Sequence, residues 1–540
     1  MTEAIDEYVV RRLAEWDRDL TLAATWRDPT AEASDVERLV ACFDAQLQSR
    51  HLDLAARWLQ QQGEGFHTVG SAGHESDAAV ALALRPTDPA LLHYRSGGFY
   101  AARAQQVDGT TPVTDVLLGM AAAADDPISG GRHKIFGNAA LSVIPQTSTI
   151  GSHLPRAVGL AFSLDRATRL GLSTPWPADA VVVASFGDAS VNHSTAVGAL
   201  NAAAYCVHRG VPVPLLLVCE DNGFGISTPT PEGWVDQALS RWPGIDCAEA
   251  DGVRPAELLR CADGLVQQVR RERRPAILHL RTVRFMGHAG SDAELGYRSR
   301  TEIERDYRRD PLLSAAATLV CLGAFTPQDA LQRYEEARQT VMTEASKLVG
   351  VRRLASADEV MGPLTARHPT AALAAARRTR AVPPEEQAPP VTLAGAINAT
   401  LADLLAVWPQ AVVFGEDVAI KGGVYGVTRG LRKRFGGLRV FDTLLDEQTI
   451  LGTALGAALA GLLPIPEIQY LAYLHNAADQ IRGEGASLAF FSKGQYRNGM
   501  VVRVPGLAYQ KGFGGHFHND NSLAVLRDIP GVVVAVPSHP

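Results

Sequence analysis

The sequence predicts an α/β protein built from two parallel-sheet units. Two observations support this fold class. Short apolar runs that are typical of buried strands alternate with longer segments of helical periodicity. The alternation also occurs twice, on either side of an Ala-, Arg- and Pro-rich segment at residues 351–390. We therefore expect two sheets with flanking helices, joined by a linker.

The first unit is predicted over residues 61–350, after a helical extension at residues 1–60. Its apolar runs are bounded by turn residues, and an Ala-rich helix follows the first of them. The predicted elements are the strand VVVASF (181–186), the helix from Ser194 to Cys206, and the strands PVPLLLVCE (212–220) and AILHLRTVR (276–284).

The second unit is predicted over residues 391–540, after the linker at 351–390. Strand and helix patterns resume there in alternation. In order, we expect a helix at 392–405, strands AVVFGED and LRVFDTL, a helix at 449–462, strand PIPEIQY, a long helix to about Phe491, strand MVVRVP, a helix near 522–528 and strand GVVVAVPS.

Composition excludes several classes of protein. The 540 residues are 46% hydrophobic and 20% charged with a net charge of -7, which argues against a disordered chain and against a nucleic-acid binder. The longest apolar stretch, 450–466, is interrupted by Gly and too short to span a membrane. The N-terminus lacks the apolar core of a signal peptide, so we expect a cytoplasmic protein. The six cysteines include no C-x-x-C pair, which argues against a disulfide framework or a zinc site.

Two polar motifs follow neighbouring predicted strands. Asp188 comes directly after the strand at 181–186, and Asn222 follows the next strand. The carboxyl ends of parallel strands are where open α/β sheets bind ligands, and carboxylate and amide oxygens suit Mg²⁺. We interpret the pair as a site for Mg²⁺ bridging a diphosphate, although Asp188 alone could equally be a helix N-cap. The GxGxxG and Walker A patterns are absent, which argues against a dinucleotide or a nucleoside triphosphate.

These motifs carry a resemblance to a known family. Gly187-Asp188-Ala189 followed by Asp221-Asn222 resembles the thiamine diphosphate signature, and NGFGISTPT resembles the α subunit of branched-chain 2-oxo acid dehydrogenases. The first half also matches in LLHYRSGG, SGGRHKIFGN, SHLPRAVGLAFS and FMGHAGSDAELGYRSRTEIERDYRRDP. The second half resembles the β subunit of the same enzymes in FGEDVAIKGGVYGVTRGL, RVFDTLLDEQ, EIQYLAYLHNAADQI and GGHFHNDNS. The resemblance implies a transketolase-like fold that binds thiamine diphosphate, with fused α-like and β-like halves.

The resemblance assigns the cofactor site residue by residue. It implies that Asp188 and Asn222 ligate Mg²⁺ through their side chains and Phe224 through its carbonyl. It further implies that the cofactor contacts Tyr94, Arg95, Ser148, Ile150, Gly187 and Ala189. Ala189 departs from the signature, which usually has Gly there. For Arg95 the alternative is a surface ion pair, but its guanidinium suits phosphate oxygens.

Glu447 is the expected activating carboxylate. A carboxyl group that shares a proton with the pyrimidine ring nitrogen of thiamine diphosphate favours the reactive tautomer of the cofactor. Glu447 aligns with the family's glutamate, although Asp446 leaves a one-residue ambiguity and a helix N-terminal charge is the alternative role. The resemblance also implies that Tyr473 stacks on the pyrimidine, with Leu445 and Gln469 beside it.

Two histidines are the expected proton-transfer groups. By alignment, His288 in GHAGSD and His518 in GHFHNDNS stand on the substrate side, where imidazole suits proton transfer near neutral pH. The alternative for either is a hydrogen-bonded structural histidine. Ala289 occupies the position of the regulatory phosphoserine of animal relatives, which excludes phosphate control at that residue.

The resemblance implies oxidative decarboxylation of a 2-oxo acid, with acyl transfer to the lipoyl group of a dihydrolipoyl acyltransferase. NGFGISTPT favours a branched-chain substrate, whereas Glu220 resembles the pyruvate enzymes. The alternatives are a pyruvate or acetoin dehydrogenase component, a non-oxidative thiamine-dependent decarboxylase or carboligase, and a non-catalytic relative. Because the family shares each site between subunits, we expect a homodimer. The β-like half lacks the family's C-terminal domain, so the chain is a fragment or assembles differently.

Overall fold

The computed structural model describes residues 4–365, 368–379, 390–507 and 515–538. No helix in these ranges is long and apolar enough to cross a membrane. The strands are β1 (Ala90–Leu91), β2 (Val182–Gly187), β3 (Leu215–Asp221), β4 (Phe224–Gly225), β5 (Thr228–Pro229), β6 (Asp246–Asp251), β7 (Ala276–Arg281), β8 (Ala411–Gly415), β9 (Val440–Asp442) and β10 (Leu463–Glu467).

The α-helices surround these strands. They are α1 (Ile5–Arg18), α2 (Val36–Gln61), α3 (Ala78–Ala83), α4 (Gly97–Ala104), α5 (Pro112–Met120), α6 (Leu154–Arg169), α7 (Ser194–His208), α8 (Trp234–Leu239), α9 (Pro255–Glu272), α10 (Arg300–Tyr307), α11 (Pro311–Cys321), α12 (Pro327–Ser346), α13 (Ala357–Thr365), α14 (Pro369–Thr379), α15 (Leu393–Val407), α16 (Leu431–Phe435), α17 (Glu447–Leu459), α18 (Leu488–Phe491), α19 (Gly515–His518) and α20 (Ala524–Arg527).

The first sheet is parallel, in the order β1-β2-β3-β7-β6. Its central strands are apolar along almost their whole length because helices cover both faces. In the register of β2 and β3, Gly187 pairs with Glu220. The residues that follow each strand, Asp188 and Asn222, therefore emerge at the same edge of the sheet.

The second sheet is also parallel, in the order β10-β8-β9. Gly415, at the end of β8, pairs with Asp442 on one side and with Glu467 on the other. Glu416 and the segment that leads from Asp442 into α17 consequently lie at the carboxyl edge of this sheet. The parallel α/β architecture predicted for both halves is confirmed.

Helices α6 and α17 hold the two halves together. Gly159 of α6 lies so close to α17 that an added Cβ would stand 2.5 Å from the Cα of Thr453. Gly452 and Gly456 of α17 meet the backbone of α6 in the same way. The apolar cluster around β2 and β3 also includes Leu459, Leu488 and Tyr496 from the second half, so the halves share a core.

Two elements predicted for the second half, the strand at 531–538 and the long helix, are wrong, and the strand predicted at 500–505 is only partly formed. The segment 500–505 makes a single bridge, between Arg503 and Glu467, in the described part of the chain. Residues 531–538 pair with none of the described strands, and Val533 is 76% exposed. Strand β10 supplies hydrogen bonds to the first segment, where the N–H groups of Val501 and Arg503 donate to the Pro464 and Pro466 carbonyls at 3.1 and 2.9 Å. Apolar alternation favours a strand only where a neighbouring strand supplies such bonds, and no described strand does so for residues 531–538.

The long helix predicted to about Phe491 is broken. The structure has a 3-10 segment at Leu471–Ala477, a π-helix at Gln480–Gly485 and then α18. Gly483 and Gly485 lie within the π-helix, and Gly lowers helical stability. The segment predicted as a linker contains α13 and α14, consistent with its Ala-rich composition. The domain boundaries themselves remain predictions.

A buried ion triad joins α2, α11 and the loop at residues 73–75. Arg50 of α2 donates to Glu75 at 2.5 Å and to both oxygens of Asp310 at 3.0 Å, and all three side chains are inaccessible to solvent. Glu75 also accepts from the Gly73 N–H at 2.7 Å. The triad therefore anchors the loop at 73–75 between α2 and α11.

We expect Arg50→Met to lower the free energy of unfolding by about 3–5 kcal/mol, because it leaves two carboxylates buried without their cation. Arg85→Met is the matched control, since Arg85 pairs with Asp179 on the surface with 45% and 57% of the side chains exposed. That variant should change the free energy by about 1 kcal/mol or less. Urea unfolding of both variants makes the comparison, and equal losses would contradict the buried role.

Candidate active site

Asp188 lies at the carboxyl edge of the first sheet and is 1% exposed. It accepts a hydrogen bond from the Thr230 hydroxyl, while the Thr230 N–H donates to the Gly223 carbonyl at 2.8 Å. Thr230 thus joins the ends of β2 and β3. Burial raises the pKa of Asp188, and the nearby charge of Asp221 raises it further. A bound cation would favour the ionised form, so this carboxylate fits a metal site.

Asn222 stands beside Asp188 in a network that sequence reasoning missed. Its Nδ2 lies 3.0 Å from His74 Nε2, and His74 Nδ1 lies 2.7 Å from Glu220 Oε2. His74 and Glu220 are fully buried. Burial lowers the pKa of His74 to about 4, although Glu220 raises it. His74 is therefore neutral near pH 7. Burial opposes the ionisation of Glu220, but the hydrogen bond from His74 and the nearby imidazole of His93 outweigh it and lower the pKa of Glu220.

The hairpin of β4 and β5 presents Phe224. Pro229 faces Phe224 across the hairpin and has no N–H to offer the Phe224 carbonyl, which suits the predicted metal contact. Ala189 packs against Gly225, where an added Cβ would lie 2.8 Å from the Ala189 methyl group. The alanine in the signature is thus accommodated by a glycine opposite it.

A narrow cleft lies next to Asp188. Tyr94, Ser148 and Ile150, all predicted to contact the cofactor, line this cleft together with Ser190 of the turn that begins at Asp188. Ser148 Oγ is 2.8 Å from His133 Nε2. Gly187 borders the cleft, since an added Cβ would stand 3.3 Å from the ring of His93. The structure therefore gathers these residues around one opening.

Arg95 is buried and points to the His288 loop. It donates to the Gly70 carbonyl at 2.5 Å and to the His288 carbonyl at 2.9 Å, and it lies 3.2 Å from His288 Nδ1. Asp292 holds the other side of the loop by accepting from the His288 N–H at 2.6 Å. Burial lowers the pKa of His288, and the charges of Arg95 and Arg284 lower it further. A predicted phosphate ligand and a predicted catalytic histidine are thus direct neighbours.

Glu447 begins α17 in the second half, after the N-cap residue Asp446. Its Oε2 accepts from Asn476 Nδ2 at 3.4 Å. Glu416, at the end of β8, is 8% exposed, and burial raises its pKa to about 7 with Glu447 as the next cause. Glu416 was not singled out in the sequence, although its position at a strand end is the same signal that indicated Asp188.

The other residues predicted for the second half lie around this carboxylate pair and an aromatic cluster. Tyr473 and His518 meet at 3.4 Å between the hydroxyl and Nε2, and the rings of His518 and Tyr470 are 4.6 Å apart. Gln469 Nε2 lies 3.4 Å from Asp417 Oδ2. Leu445 is 83% exposed. The structure thus places Tyr473 and His518 together, while the Leu445 side chain faces solvent.

The second half also reaches the cleft, since the Thr147 hydroxyl, which lines it, lies 3.4 Å from Glu484 Oε1. The start of α17 touches α7, where the Thr195 hydroxyl donates to Gln448. Among the described residues, however, no hydrogen bond or ion pair joins Glu447 to the residues that line the cleft at Asp188. The predicted cofactor residues thus come from both halves of the chain.

The comparisons with known proteins define the class. The family model described as "Dehydrogenase E1 component" matches residues 44–350, and "Transketolase, pyrimidine binding domain" matches residues 390–540. The first match covers more than half of the chain. The chain therefore belongs to the dehydrogenase E1 component family, and the predicted arrangement of α-type and β-type parts in one chain is confirmed.

Among curated proteins, the second half is similar to β subunits. It is 40% identical to the pyruvate dehydrogenase E1 component subunit beta of Staphylococcus epidermidis, over 28% of this chain and 46% of that protein. It is 39% identical to the 3-methyl-2-oxobutanoate dehydrogenase subunit beta of Mycobacterium tuberculosis, over 28% of this chain and 42% of that protein. The chain thus spans less than half the length of these relatives.

Among solved structures, the chain is similar to the transketolase from Leishmania mexicana. The TM-score is 0.54 at 17% identity, and the match covers 92% of this chain and 72% of that chain. At this identity the likeness shows the fold alone, and it confirms the predicted transketolase-like fold.

Proposed function

We propose that this protein is a thiamine diphosphate-dependent 2-oxo acid dehydrogenase component that passes an acyl group to the lipoyl group of a dihydrolipoyl acyltransferase. The observation that carries the proposal is the pairing of Asp188 and Asn222 at neighbouring strand ends. They present a buried carboxylate and an oriented amide beside a cleft, in a chain of the dehydrogenase E1 component family.

The donor set suits Mg²⁺ and a diphosphate. Asp188, Asn222 and the Phe224 carbonyl would hold Mg²⁺ through oxygen atoms, which this ion prefers. Tyr94, Ser148 and Ile150 would contact the cofactor in the cleft, with Gly187 and Ala189 leaving room beside it. When bound, thiamine diphosphate supplies the electron sink that decarboxylation requires.

Glu447 and Glu416 form the acid-base centre of the proposal. Glu447 would share a proton with the pyrimidine ring nitrogen, flanked by Leu445, Gln469 and Tyr473. Burial and the charge of Glu447 raise the pKa of Glu416 to about 7, so Glu416 would be a second group that exchanges a proton on this side of the site.

The histidines would act on the substrate side. Arg95 would bind the diphosphate together with Tyr94, and its contacts with His288 would keep that histidine beside the cofactor. His518 lies against Tyr473, so a proton on its imidazole would be near the cofactor ring that Tyr473 is proposed to contact.

A branched-chain 2-oxo acid is the proposed substrate, because NGFGISTPT resembles the α subunit of those enzymes. Glu220 favours pyruvate as the second candidate. Turnover of both acids with lipoamide and an artificial electron acceptor separates them. Activity without any dependence on lipoamide would instead indicate a non-oxidative decarboxylase or carboligase.

The proposed assembly is a homodimer in which each active site combines the first half of one copy with the second half of the other. The resemblance to the family supports this proposal, because that family shares each site between subunits. The exposed apolar side chains of Leu445 and Ile420, near the Glu447 cluster, are 83% and 84% accessible and suit contact with another subunit.

Asp188→Ala is expected to weaken Mg²⁺-dependent binding of thiamine diphosphate by about 100-fold or more. Loss of a residue that only hydrogen-bonds to a metal ligand already lowers metal affinity by about 10–100-fold, and Asp188 is itself a proposed ligand. Isothermal titration of the apo-protein with the cofactor, with and without Mg²⁺, measures this. Asp179→Ala, on the exposed surface, is the control and should bind as wild type does. Failure of well-folded wild-type protein to bind the cofactor would overturn the proposed function.

A further inference from the structure

We propose that His74 is a positioning residue, which turns the Asn222 side chain so that its oxygen, and not its nitrogen, faces the metal. This inference rests on the proposed function, because it assigns a role toward the Mg²⁺ of that site. The sequence patterns gave no indication of it, since His74 lies 148 positions from Asn222.

One backbone group identifies which end of the amide is the oxygen. The Phe224 N–H can only donate, and it lies 3.1 Å from one end of the Asn222 amide. That end must therefore be Oδ1. The other end, 3.0 Å from His74 Nε2, is then the amino group Nδ2, which donates. His74 Nε2 must consequently be the acceptor.

The same reasoning determines the tautomer of His74. A neutral imidazole with a bare Nε2 carries its proton on Nδ1, and Nδ1 lies 2.7 Å from a carboxylate oxygen of Glu220. The other oxygen of Glu220 accepts from the Ser96 hydroxyl at 2.7 Å. Glu220 is thus held as an acceptor on both sides, which keeps the proton of His74 on Nδ1.

The orientation matters because an amide has two unlike ends. With Nδ2 engaged by His74, Asn222 Oδ1 keeps one lone pair for Phe224 N–H and a second for a cation. If the amide turned over, its amino group would face the cation and repel it. Outer-shell hydrogen bonds of this kind orient metal ligands in many proteins.

The test uses Mn²⁺ as a spectroscopic substitute for Mg²⁺ and the full-length chain with thiamine diphosphate. Electron paramagnetic resonance of free Mn²⁺ measures affinity without any turnover. His74→Leu should weaken Mn²⁺ binding by about 10- to 100-fold, because the amide loses one of its two restraints. His74→Gln should bind as wild type does, since an amide can accept from Asn222 and donate to Glu220.

Repeating the His74→Leu substitution in an Asn222→Asp protein tests whether His74 orients the amide or only supports the fold. Asn222→Asp replaces the amide by a carboxylate with two equivalent oxygens, so its orientation no longer matters. In that background His74→Leu should not weaken Mn²⁺ binding. An equal loss in both backgrounds would overturn the inference, because the histidine would then support the fold and not the amide. His51→Leu, which removes another buried imidazole, is the matched control and should leave Mn²⁺ affinity unchanged.

A measurement on wild type remains decisive if His74→Leu does not fold. Nitrogen-15 NMR of histidine-labelled protein reports the tautomer of each ring, and His74→Gln identifies the signal. The neutral tautomer with the proton on Nδ1 is expected, and a proton on Nε2 would overturn the inference. If wild-type protein binds neither Mn²⁺ nor the cofactor, the proposed function fails; if wild type binds and His74→Leu binds equally well, only the positioning role fails.

Discussion

Co-expression of an Asp188→Ala chain with a Glu447→Gln chain is expected to produce 2-oxo acid dehydrogenase activity that neither variant has alone. Each variant by itself should be inactive, because one lacks the proposed metal ligand and the other lacks the acid-base carboxylate, whose loss costs about 10²–10⁴-fold. In a mixed dimer with sites between copies, one site receives Asp188 and Glu447 from different chains and is intact. Random pairing then restores about a quarter of wild-type activity.

The control pairs two variants of the same half. Asp188→Ala with Asn222→Ala cannot complement, because in either assembly both residues of one site come from the same chain. The readout is lipoamide-dependent reduction of an artificial acceptor by the purified mixed protein. Lack of rescue in a mixed sample whose dimers form normally would place the site within one chain and contradict the proposed assembly.

Gly456→Ala is expected to destabilise the protein by about 3 kcal/mol, at the upper end of what overpacking usually costs. In an exposed helix the same change would stabilise, because Gly is a poor helix former. At position 456, however, the added methyl group would enter the backbone of α6 at Leu160. The two helices would have to separate, and the core that both halves share would open.

Gly264→Ala is the matched control for this prediction. Gly264 lies inside α9 with open space where a Cβ would stand. The substitution should raise the free energy of unfolding by about 0.5–1 kcal/mol. Thermal melting of the two variants and wild type gives the comparison, and a Gly456→Ala protein that melts at or above the wild-type temperature would show that the helices tolerate separation.

The sheet of the first half was predictable because burial on both faces produces continuous apolar runs. The runs at 181–186 and 212–220 correspond to β2 and β3 within a few residues. In the second half the pattern was misleading at 531–538, whereas the segment 500–505 is hydrogen-bonded to β10. Residues 531–538 have the composition of a strand, but strand formation depends on a neighbouring strand, which composition does not encode.

The site was partly predictable for a similar reason. Asp188 and Asn222 follow adjacent strands, so the parallel register alone brings them to one edge. His74 could not be found in this way, because it precedes α3 and reaches Asn222 only through tertiary packing. Glu416 could have been found, since it directly follows β8 as Asp188 follows β2. The effect of Glu447 on its pKa depends on how α17 begins, which the sequence pattern does not define.

The packing of Ala189 against Gly225 limits which side chains the two positions can accept together. The space between the turn after β2 and the hairpin of β4 and β5 holds one methyl group, because a Cβ on Gly225 would lie 2.8 Å from that of Ala189. The side chains at the two positions thus compete for the same space, although the positions belong to separate motifs. A change at one position alters what the other can accept, so the effects of substitutions at 189 and 225 on stability should not be additive.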